Sequence, residues 1–343
     1  MSDNDGKEVN GMTIREIAKL AGVSTASVSR AINNETGISE NTRKRILEIV
    51  TKVDYQPNIL AKGLSQQKTY TIGIAIPDMS NVFYADVLKG VEDIAELYNY
   101  TVMYFNTYYN SEKERKVLEF LNNERVDGLL GYMSNHVIDE CVNTVHRKRP
   151  FVLLGQVMDE VECPQIGCNN ISSAYEITEY LIKKGHKKIA HLAGSWETKT
   201  GIQRLQGYKK AMENYGLPIE DGWVIETDYT NADAYPKIYD FLSKTSDVTA
   251  IFAANDAMAA ACYQAIYDMG LKIPEDISVV GHDDTETARL LYPNLTTMRQ
   301  EKQKIGRTAT NKLFGIMENR IFAKEVVTIP TKLIERDSVA TCI

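Results

Sequence analysis

The sequence has 343 residues, of which 43% are hydrophobic and 25% are charged, as is typical of a soluble globular protein of two or three domains. No segment approaches the ~18 consecutive apolar residues that a membrane-spanning helix needs, so we expect no membrane partner. Residues 1–11 are polar and acidic, which is unlike a signal peptide and predicts a disordered lead on a cytoplasmic protein. The five cysteines form no C-x-x-C pair, so we expect reduced thiols, no metal site and no cofactor.

The net charge of −7 argues against nucleic acid, but its distribution along the chain reverses that interpretation. Residues 12–66 contain eight basic and five acidic residues, whereas residues 1–11 contain one lysine and three acidic residues. A basic module attached to an acidic body is typical of a regulator that contacts DNA phosphates with one end only.

Residues 13–53 have the pattern of three short helices. Thr13 can cap the first helix, and Glu16 three residues later completes a capping box. Gly22 ends that helix, because only glycine takes a positive φ freely. Two serines are placed to cap the second and third helices: Ser24 and Ser39. The apolar stripe predicted to be buried on the third helix comprises Ile46, Leu47, Ile49, Val50 and Val53.

The tight turn between the first two helices fits a helix-turn-helix, whose second helix enters the major groove of DNA. Thr25, Ala26 and Ser27 are the exposed residues at the start of that helix, and Arg30 lies one turn further on. Hydroxyl groups suit phosphates or base edges, alanine can contact a thymine methyl, and arginine can hold guanine with two hydrogen bonds. From spacing alone, a plain three-helix cap is the alternative.

From Tyr70 onward, short apolar runs alternate with amphipathic helical stretches, which predicts parallel sheets with helices on both faces. The runs with strand character are 71–76, 101–105, 128–130, 151–154, 188–192, 250–253 and 277–280. The stretches with helical character are 82–98, 112–122, 172–184, 203–215 and 257–269. A segment of roughly 275 residues is large enough for its core to divide, so we predict two doubly wound lobes with a ligand cleft at the carboxyl ends of the strands.

A series of ordered motifs extends along residues 12–338. In the head they are TIREIAKLAGVS (13–24), VSR (28–30), NN (33–34), SENTR (39–43), YQPN (55–58) and the pair Ala61 and Leu64. In the core they are IPDMSNVFY (76–84), VDG (126–128), GHKKIA (185–190), ANDAMA (254–259), SVVGHDD (278–284) and LTT (295–297). This set resembles the lactose-repressor/galactose-repressor (LacI/GalR) family of transcriptional regulators.

The resemblance implies a small all-α helix-turn-helix head and an α/β core of two parallel-sheet lobes similar to periplasmic sugar-binding proteins. The predicted division is a disordered lead at 1–11, a helix-turn-helix domain at 12–57, a hinge helix or linker at 58–68 and an effector-binding and dimerisation core at 69–343. The implied partners are a second copy of the chain, a pseudo-palindromic operator DNA and a small-molecule sugar effector.

In this family the hinge folds on operator DNA, and a leucine from each subunit enters and kinks the minor groove. Leu64 matches that leucine, while Ala61 and Asn58 match residues that pack the hinge pair and contact DNA. A seven-residue helix is marginal alone, which agrees with folding on a partner. The DNA-binding residues implied for this chain are Thr13, Ser24, Thr25, Ala26, Ser27, Arg30, Asn58, Ala61 and Leu64.

The resemblance also assigns an effector site. Arg204, Asn255 and Asp283 match the recurrent polar ligands of the family, and together they can donate to and accept from vicinal hydroxyls. Tyr229 matches an aromatic residue that stacks on a sugar ring. Further candidates are Ser80, Phe83 and Gln300.

Simpler interpretations of some of these residues stay open. Asn255 and Asp256 also fit a helix cap, and Asp283 with Asp284 fits a solvated turn. Trp196 could wall the site or pack on a loop.

One departure concerns Asn169 and Asn170, which stand where many relatives have an Asp-Asn pair. The loss of that carboxylate prevents the transfer of specificity from any one relative.

Two other classes of protein compete with a regulator. Asp256, Asp283 and Asp284 could form a hydrolase site, but no second acid faces them, and the sequence contains no G-x-S-x-G elbow, P-loop or zinc motif. We therefore expect no enzyme. A sugar-binding transport protein is disfavoured by the basic head and by the absence of a signal peptide.

Within the regulator class, the effector could release the operator or strengthen its binding. Purine-responsive relatives use a second arginine in the loop where this chain has Thr198, which disfavours a purine corepressor. The catabolite-control branch contacts a phosphorylated carrier protein through a Tyr and an Arg that align with Gln303 and Asn311, so that partner is disfavoured. The sequence therefore favours a repressor of carbohydrate-utilisation genes that a neutral sugar releases.

Overall fold

The computed structural model describes residues 12–55, 68–245 and 247–342. The chain divides into two units, a helical head up to Lys68 and an α/β core from Thr69. Within the described residues, none of the helices has the length and apolar character to cross a membrane, and the described residues contain no cluster of side chains suited to a metal ion.

The described part of the head consists of α1 (Ile14–Ala21), α2 (Thr25–Ile32) and α3 (Glu40–Lys52). The capping box predicted for α1 is confirmed, because Thr13 and Glu16 satisfy each other's backbone N–H groups. Gly22 follows α1 in the left-handed conformation with φ 62°, as predicted. Ser24 and Ser39 cap α2 and α3 through their side-chain oxygens. Local sequence signals therefore set the boundaries of the helices.

The three helices of the head pack on a small core centred on Ile17, Val28 and Ile46, which have no exposed surface. The predicted stripe of α3 was wrong at Leu47, which is 40% exposed. Because α1 and α2 cover only one side of α3, the side chain next to Ile46 in sequence is directed away from them.

The core contains two six-stranded sheets with helices on both faces, so the predicted fold is confirmed. The sheet of the first lobe comprises β1 (Thr71–Ile76), β2 (Thr101–Asn106), β3 (Gly128–Gly131), β4 (Phe151–Leu154), β5 (Pro164–Gly167) and β11 (Glu325–Thr328). The sheet of the second lobe comprises β6 (Ile189–Ala193), β7 (Val224–Glu226), β8 (Ala250–Ala253), β9 (Ser278–Asp283), β10 (Thr296–Gln300) and β12 (Thr331–Ile334).

The strand order is β11-β5-β4-β3-β1-β2 in the first sheet and β12-β10-β9-β8-β6-β7 in the second. In the first sheet all pairs are parallel, with Ile74 of β1 opposite Tyr104 of β2 and Leu130 of β3. In the second sheet only the edge pair β10 and β12 is antiparallel. In each sheet the strand order reverses at the first strand of the lobe, which is β1 or β6: the next two strands along the chain lie on opposite sides of it. Parallel sheets bind ligands at such a switch point.

The first sheet is covered by α4 (Val82–Leu97), α5 (Ser111–Asn122), α6 (Ile138–His146) and α12 (Lys302–Asn319). The second sheet carries α7 (Asn170–Lys183), α8 (Lys199–Asn214), α9 (Asn231–Lys244), α10 (Asp256–Asp268) and the short α11 (Glu286–Leu290). The chain passes between the lobes after β5, after β10 and after β11. These three crossings place the carboxyl ends of both sheets at one cleft.

Candidate functional site

A cavity of about 80 Å³ lies between the two lobes at the carboxyl ends of the strands. We call it the inner chamber. Six of the predicted effector residues line it: Phe83, Arg204, Tyr229, Asn255, Asp283 and Gln300. All six are buried, so the inner chamber presents a few polar groups set among aromatic rings.

Arg204 projects from α8 and is held by groups on the second lobe. Its Nε donates to Asn170 Oδ1 at 3.0 Å, and its Nη1 donates to the Ala254 carbonyl oxygen. Its Nη2 lies 3.5 Å from Asp283 Oδ1, and both side chains are at most 7% exposed. The guanidinium is therefore fixed in position while part of its donor set faces the inner chamber.

Asp283 ends β9, and φ there is 114°, a conformation that side-chain-bearing residues rarely adopt. Its Oδ1 accepts from Gln300 Nε2 at 2.7 Å and lies 3.0 Å from His282 Nδ1. Burial alone would raise the pKa of Asp283, but hydrogen bonding to His282 and the Arg204 charge hold that pKa below its usual value. Asp283 is therefore ionised at neutral pH.

His282 forms a hydrogen bond to this carboxylate. Burial lowers the pKa of His282 to about 4, so its ring is neutral at neutral pH. Because an ionised carboxylate can only accept, the proton lies on Nδ1, and Nε2 accepts from the Ser173 hydroxyl at 2.9 Å. The sequence motif contained His282, but nothing in its spacing indicated this role.

Asn255 follows β8 and caps α10, since its Oδ1 accepts from the Met258 N–H at 2.8 Å. The cap considered from the sequence is therefore present. The same side chain also lines the inner chamber, and its Nδ2 donates to the Tyr229 carbonyl oxygen at 3.1 Å.

Tyr229 contributes a ring to the inner chamber and has φ 71°. The ring stacks on Tyr109 of the first lobe, with centroids 6.2 Å apart and planes inclined by 26°. The Tyr229 hydroxyl lies 3.1 Å from Thr198 Oγ1. This stack therefore joins the two lobes at the cleft.

The first lobe contributes an aromatic wall that sequence reasoning missed apart from Phe83. Its other members are Tyr84, Tyr109 and Tyr132. The Tyr132 hydroxyl is buried and has no hydrogen-bond partner among the described residues. Tyr109 and Tyr132 each follow the end of a strand, and that position was the signal that could have found them.

Ser80 does not line the inner chamber. It lies in an adjacent cavity of about 500 Å³, the outer chamber, which is lined by Pro77, Asp78, Ser80, Asn81, Tyr84, Tyr108, Tyr109, Ser134, Ser195, Glu197, Thr198, Asp228, Tyr229 and Thr230. Trp196 is 50% exposed and lines neither chamber, so it does not wall the site.

In the head, Thr25, Ala26 and Arg30 are exposed on α2, and Ser27 is half-buried. The Thr13 and Ser24 hydroxyls also serve as helix caps. Asn58, Ala61 and Leu64 lie outside the described residues. The described residues therefore leave the start of α2 open to a partner.

Comparison with known proteins identifies both parts of the chain. Residues 13–58 match the model of the bacterial regulatory proteins of the lacI family, and residues 178–339 match a periplasmic binding protein-like domain. Catabolite control protein A of Priestia megaterium is 33% identical over 329 residues, covering 95% of this chain and 99% of that protein. The chain belongs to the LacI family. It is a DNA-binding transcriptional regulator that responds to an effector.

A second relative of this LacI-family regulator is the HTH-type transcriptional repressor PurR of Histophilus somni (strain 129Pt), which is 32% identical over 96% of this chain and 99% of that protein. Among solved structures, the lac repressor dimer bound to operator and the anti-inducer ONPF has a TM-score of 0.86 at 25% identity, covering 96% of this chain and all of that one. The complex of the transcriptional regulator CelR with cellobiose has a TM-score of 0.72 at 25% identity, with coverages of 95% and 99%.

The structure also shows how this LacI-family regulator uses the pair Asn169 and Asn170. The Asn169 side chain caps α7 by accepting from the Ser172 N–H at 2.9 Å. Asn170 is buried in the inner chamber, where its Oδ1 accepts from Arg204 and its Nδ2 donates to Gln203 at 3.3 Å. Asn170 therefore orients the arginine without adding a charge to the inner chamber.

Proposed function

We propose that this regulator represses carbohydrate-utilisation genes as a homodimer on a pseudo-palindromic operator, and that a neutral sugar bound in the inner chamber releases it. The observation that carries the proposal is the buried pair of Arg204 and Asp283, 3.5 Å apart in a cavity between the lobes. One buried cation beside one buried anion gives no net charge, which favours a neutral ligand over a phosphorylated one.

The same pair offers complementary hydrogen bonds to a polyol. Every described bond to the Asp283 carboxylate goes to Oδ1, which leaves Oδ2 to accept from a ligand hydroxyl. Arg204 supplies N–H donors, and the amides of Asn170, Asn255 and Gln300 supply both functions. Adjacent donors and acceptors suit the vicinal hydroxyls of a sugar.

The aromatic lining supports the same ligand class. Phe83 and Tyr229 contribute aromatic rings to the lining of the inner chamber, and the apolar faces of such rings can pack against the C–H groups of a sugar ring. The structural likeness to a regulator solved with cellobiose agrees with this chemistry.

A second candidate is a regulator whose effector strengthens operator binding, because the sequence relatives include Catabolite control protein A and PurR. Against a purine ligand, Thr198 is a buried cap of α8 bonded to Tyr229, so it supplies no cation. Against a phosphoprotein partner, Gln303 and Asn311 are exposed amides on α12.

The test uses the full-length protein and an operator selected from random double-stranded DNA. Fluorescence anisotropy of that operator is followed while single monosaccharides, disaccharides, guanine or glucose 6-phosphate are added. We expect one neutral sugar to release the DNA and to raise the free energy of unfolding by ~2.7 kcal/mol at a hundred times its Kd. Tighter operator binding with a sugar would instead favour the second candidate. If no sugar binds, the proposal is wrong.

A further inference from the structure

The outer chamber adjoins the inner chamber. Six residues line both: Pro77, Asn81, Tyr84, Tyr109, Thr198 and Tyr229. The remaining residues of the outer chamber include exposed side chains, among them Ser80, Tyr108, Glu197 and Asp228, whereas the inner polar groups are buried. The outer chamber is therefore the more exposed of the two cavities.

The boundary between the chambers includes the two stacked rings of Tyr109 and Tyr229. The rings belong to different lobes, and the two residues have φ of 54° and 71°. Tyrosine adopts this conformation rarely, and such strained residues concentrate at ligand clamps. The Tyr109 hydroxyl lies 3.4 Å from that of Tyr84, which lines both chambers as well. A ligand that extends through both chambers must therefore pass these rings.

The lining of the outer chamber has a distinct chemistry. Among the described residues it contains three carboxylates, of Asp78, Glu197 and Asp228, and no lysine or arginine. It also contains hydroxyl groups and the Tyr108 ring, which is 61% exposed and has the Lys113 ammonium 4.3 Å from its centroid. Carboxylates accept hydrogen bonds from hydroxyl groups and repel anions, while an exposed ring offers an apolar face. This combination suits a second neutral, hydroxylated ring.

We infer that the outer chamber is a second saccharide subsite, and that the effector is a neutral disaccharide or short oligosaccharide with one unit in each chamber. The glycosidic linkage then lies beside Tyr109 and Tyr229. This inference rests on the proposed sugar-binding function of the inner chamber, and it adds the length of the ligand and the residues that select for it.

The first experiment compares ligands on the full-length protein by isothermal titration calorimetry. The probes are cellobiose, maltose, lactose, gentiobiose and trehalose, each paired with the methyl glycosides of its own units. We expect at least one disaccharide to bind about tenfold more tightly than either methyl glycoside, because the second unit adds contacts in the outer chamber. Equal affinities throughout would overturn the inference and leave the proposed function intact. If no saccharide binds, both proposals are wrong.

The second experiment uses Asp228→Asn. Asp228 is exposed, and its Oδ1 accepts from the Thr230 N–H at 2.9 Å and from its hydroxyl at 2.6 Å, bonds that an asparagine oxygen retains. The variant loses the charge, so we expect about fivefold weaker disaccharide binding with unchanged binding of the methyl glycoside. Tyr108→Ala removes an exposed ring, and it is also expected to weaken disaccharide binding without changing the binding of the methyl glycoside.

The matched control is Asp240→Asn, which removes an exposed carboxylate from α9 of the same lobe and leaves both chambers unchanged. This control is expected to change neither the affinity for the disaccharide nor the affinity for the methyl glycoside. An Asp228→Asn protein that loses affinity for both ligand lengths equally, or for neither, would overturn the assignment of the outer chamber.

Discussion

Arg204 Nη2 lies 3.5 Å from Asp283 Oδ1, although the two residues are 79 positions apart and stand on different elements of the second lobe. The distance is longer than that of a close charge-assisted hydrogen bond, for which about 2.7–2.9 Å is usual. Each group is instead held by neighbours, Arg204 by Asn170 and Asp283 by Gln300. The pair is therefore oriented by the protein while each partner keeps hydrogen-bonding capacity for a ligand.

Asp283→Asn should abolish the response to the effector and leave operator affinity unchanged. The variant loses the charged acceptor, and a hydroxyl hydrogen bond to a charged group contributes roughly 1.5–3 kcal/mol. We expect the effector Kd to rise by about ten- to a hundredfold. Calorimetry measures the effector Kd, and anisotropy measures the operator Kd. A lower Tm with the effector Kd within about threefold of wild type would contradict the assignment.

Asp284→Asn is the matched comparison, because Asp284 does not line the inner chamber. Its carboxylate accepts from Arg299 at 2.7 Å and Arg336 at 2.5 Å. Burial alone would raise the pKa of Asp284, but these arginines hold it below its usual value. We expect a loss of unfolding free energy on the order of 3 kcal/mol with an unchanged effector Kd, measured by urea denaturation and calorimetry. A large change in effector Kd at unchanged stability would refute this division of roles.

The stability of the core should decrease between about pH 4 and pH 7 through Asp256. This buried carboxyl accepts hydrogen bonds from Thr285 and Thr297. Burial, and next the nearby Asp283 charge, raise the pKa of Asp256 from 3.8 to about 7. The folded protein therefore holds this proton over a range where the unfolded chain has lost it, so the free energy of unfolding falls as pH rises.

Asp256→Asn provides the check, since it removes the titrating group while its amide can still accept from Thr285 and donate to Thr297. We expect the variant to gain stability relative to wild type as pH rises from 5 to 8, as measured by Tm across that range. If the difference in Tm between wild type and variant were constant with pH, Asp256 would be ionised throughout that range.

Leu64→Ala should weaken specific operator binding by about tenfold or more, because it removes the apolar wedge that the family resemblance places in the minor groove. Sugar binding should be unchanged, since all the predicted effector residues belong to the core. Anisotropy with operator and with random DNA separates specific from non-specific binding, and calorimetry gives the sugar Kd. Equal loss of both activities would mean that Leu64 stabilises the fold instead.

The regulator should be a homodimer that needs both half-sites of its operator. One α2 helix reads one half-site, so specific affinity requires two copies at a fixed spacing. Light scattering should give twice the chain mass of 38.6 kDa, and scrambling one half-site should weaken binding by about a hundredfold. A mass of one chain at micromolar concentration, together with intact operator binding, would rule out the dimer.

The sequence by itself determined the features that depend on neighbouring residues. The ends of α1, α2 and α3 follow from side chains that reach a backbone group two or three positions away, as Thr13, Ser24 and Ser39 do. Six of the seven apolar runs predicted as strands coincide with interior strands of the two sheets, namely β1, β3, β4, β6, β8 and β9, and the seventh coincides with the edge strand β2. Burial of the interior strands on both faces leaves a continuous apolar signal.

Tertiary structure decided the elements whose signal is weak or mixed. The edge strands β7, β11 and β12 have only three or four residues each and are partly exposed, and their residues show no continuous apolar run. The helix α9 contains Pro236, which argues against a helix in local terms, yet its buried face packs on α10. Tertiary structure also decided the exposure of Leu47, because the arrangement of α1 and α2 around α3 leaves that side chain uncovered.

Tertiary structure also decided the form of the site. The family resemblance named Arg204 and Asp283. The short distance between their side chains depends on the packing of α8 on the second sheet, to which β9 belongs. Because the chain crosses between the lobes, the ring of Tyr109 stacks on that of Tyr229. The same arrangement places Ser80 in the outer chamber instead of the inner one. Local sequence carries the propensities of each segment, whereas a ligand site is made by contacts between segments that are distant along the chain, and only the packed fold fixes those distances.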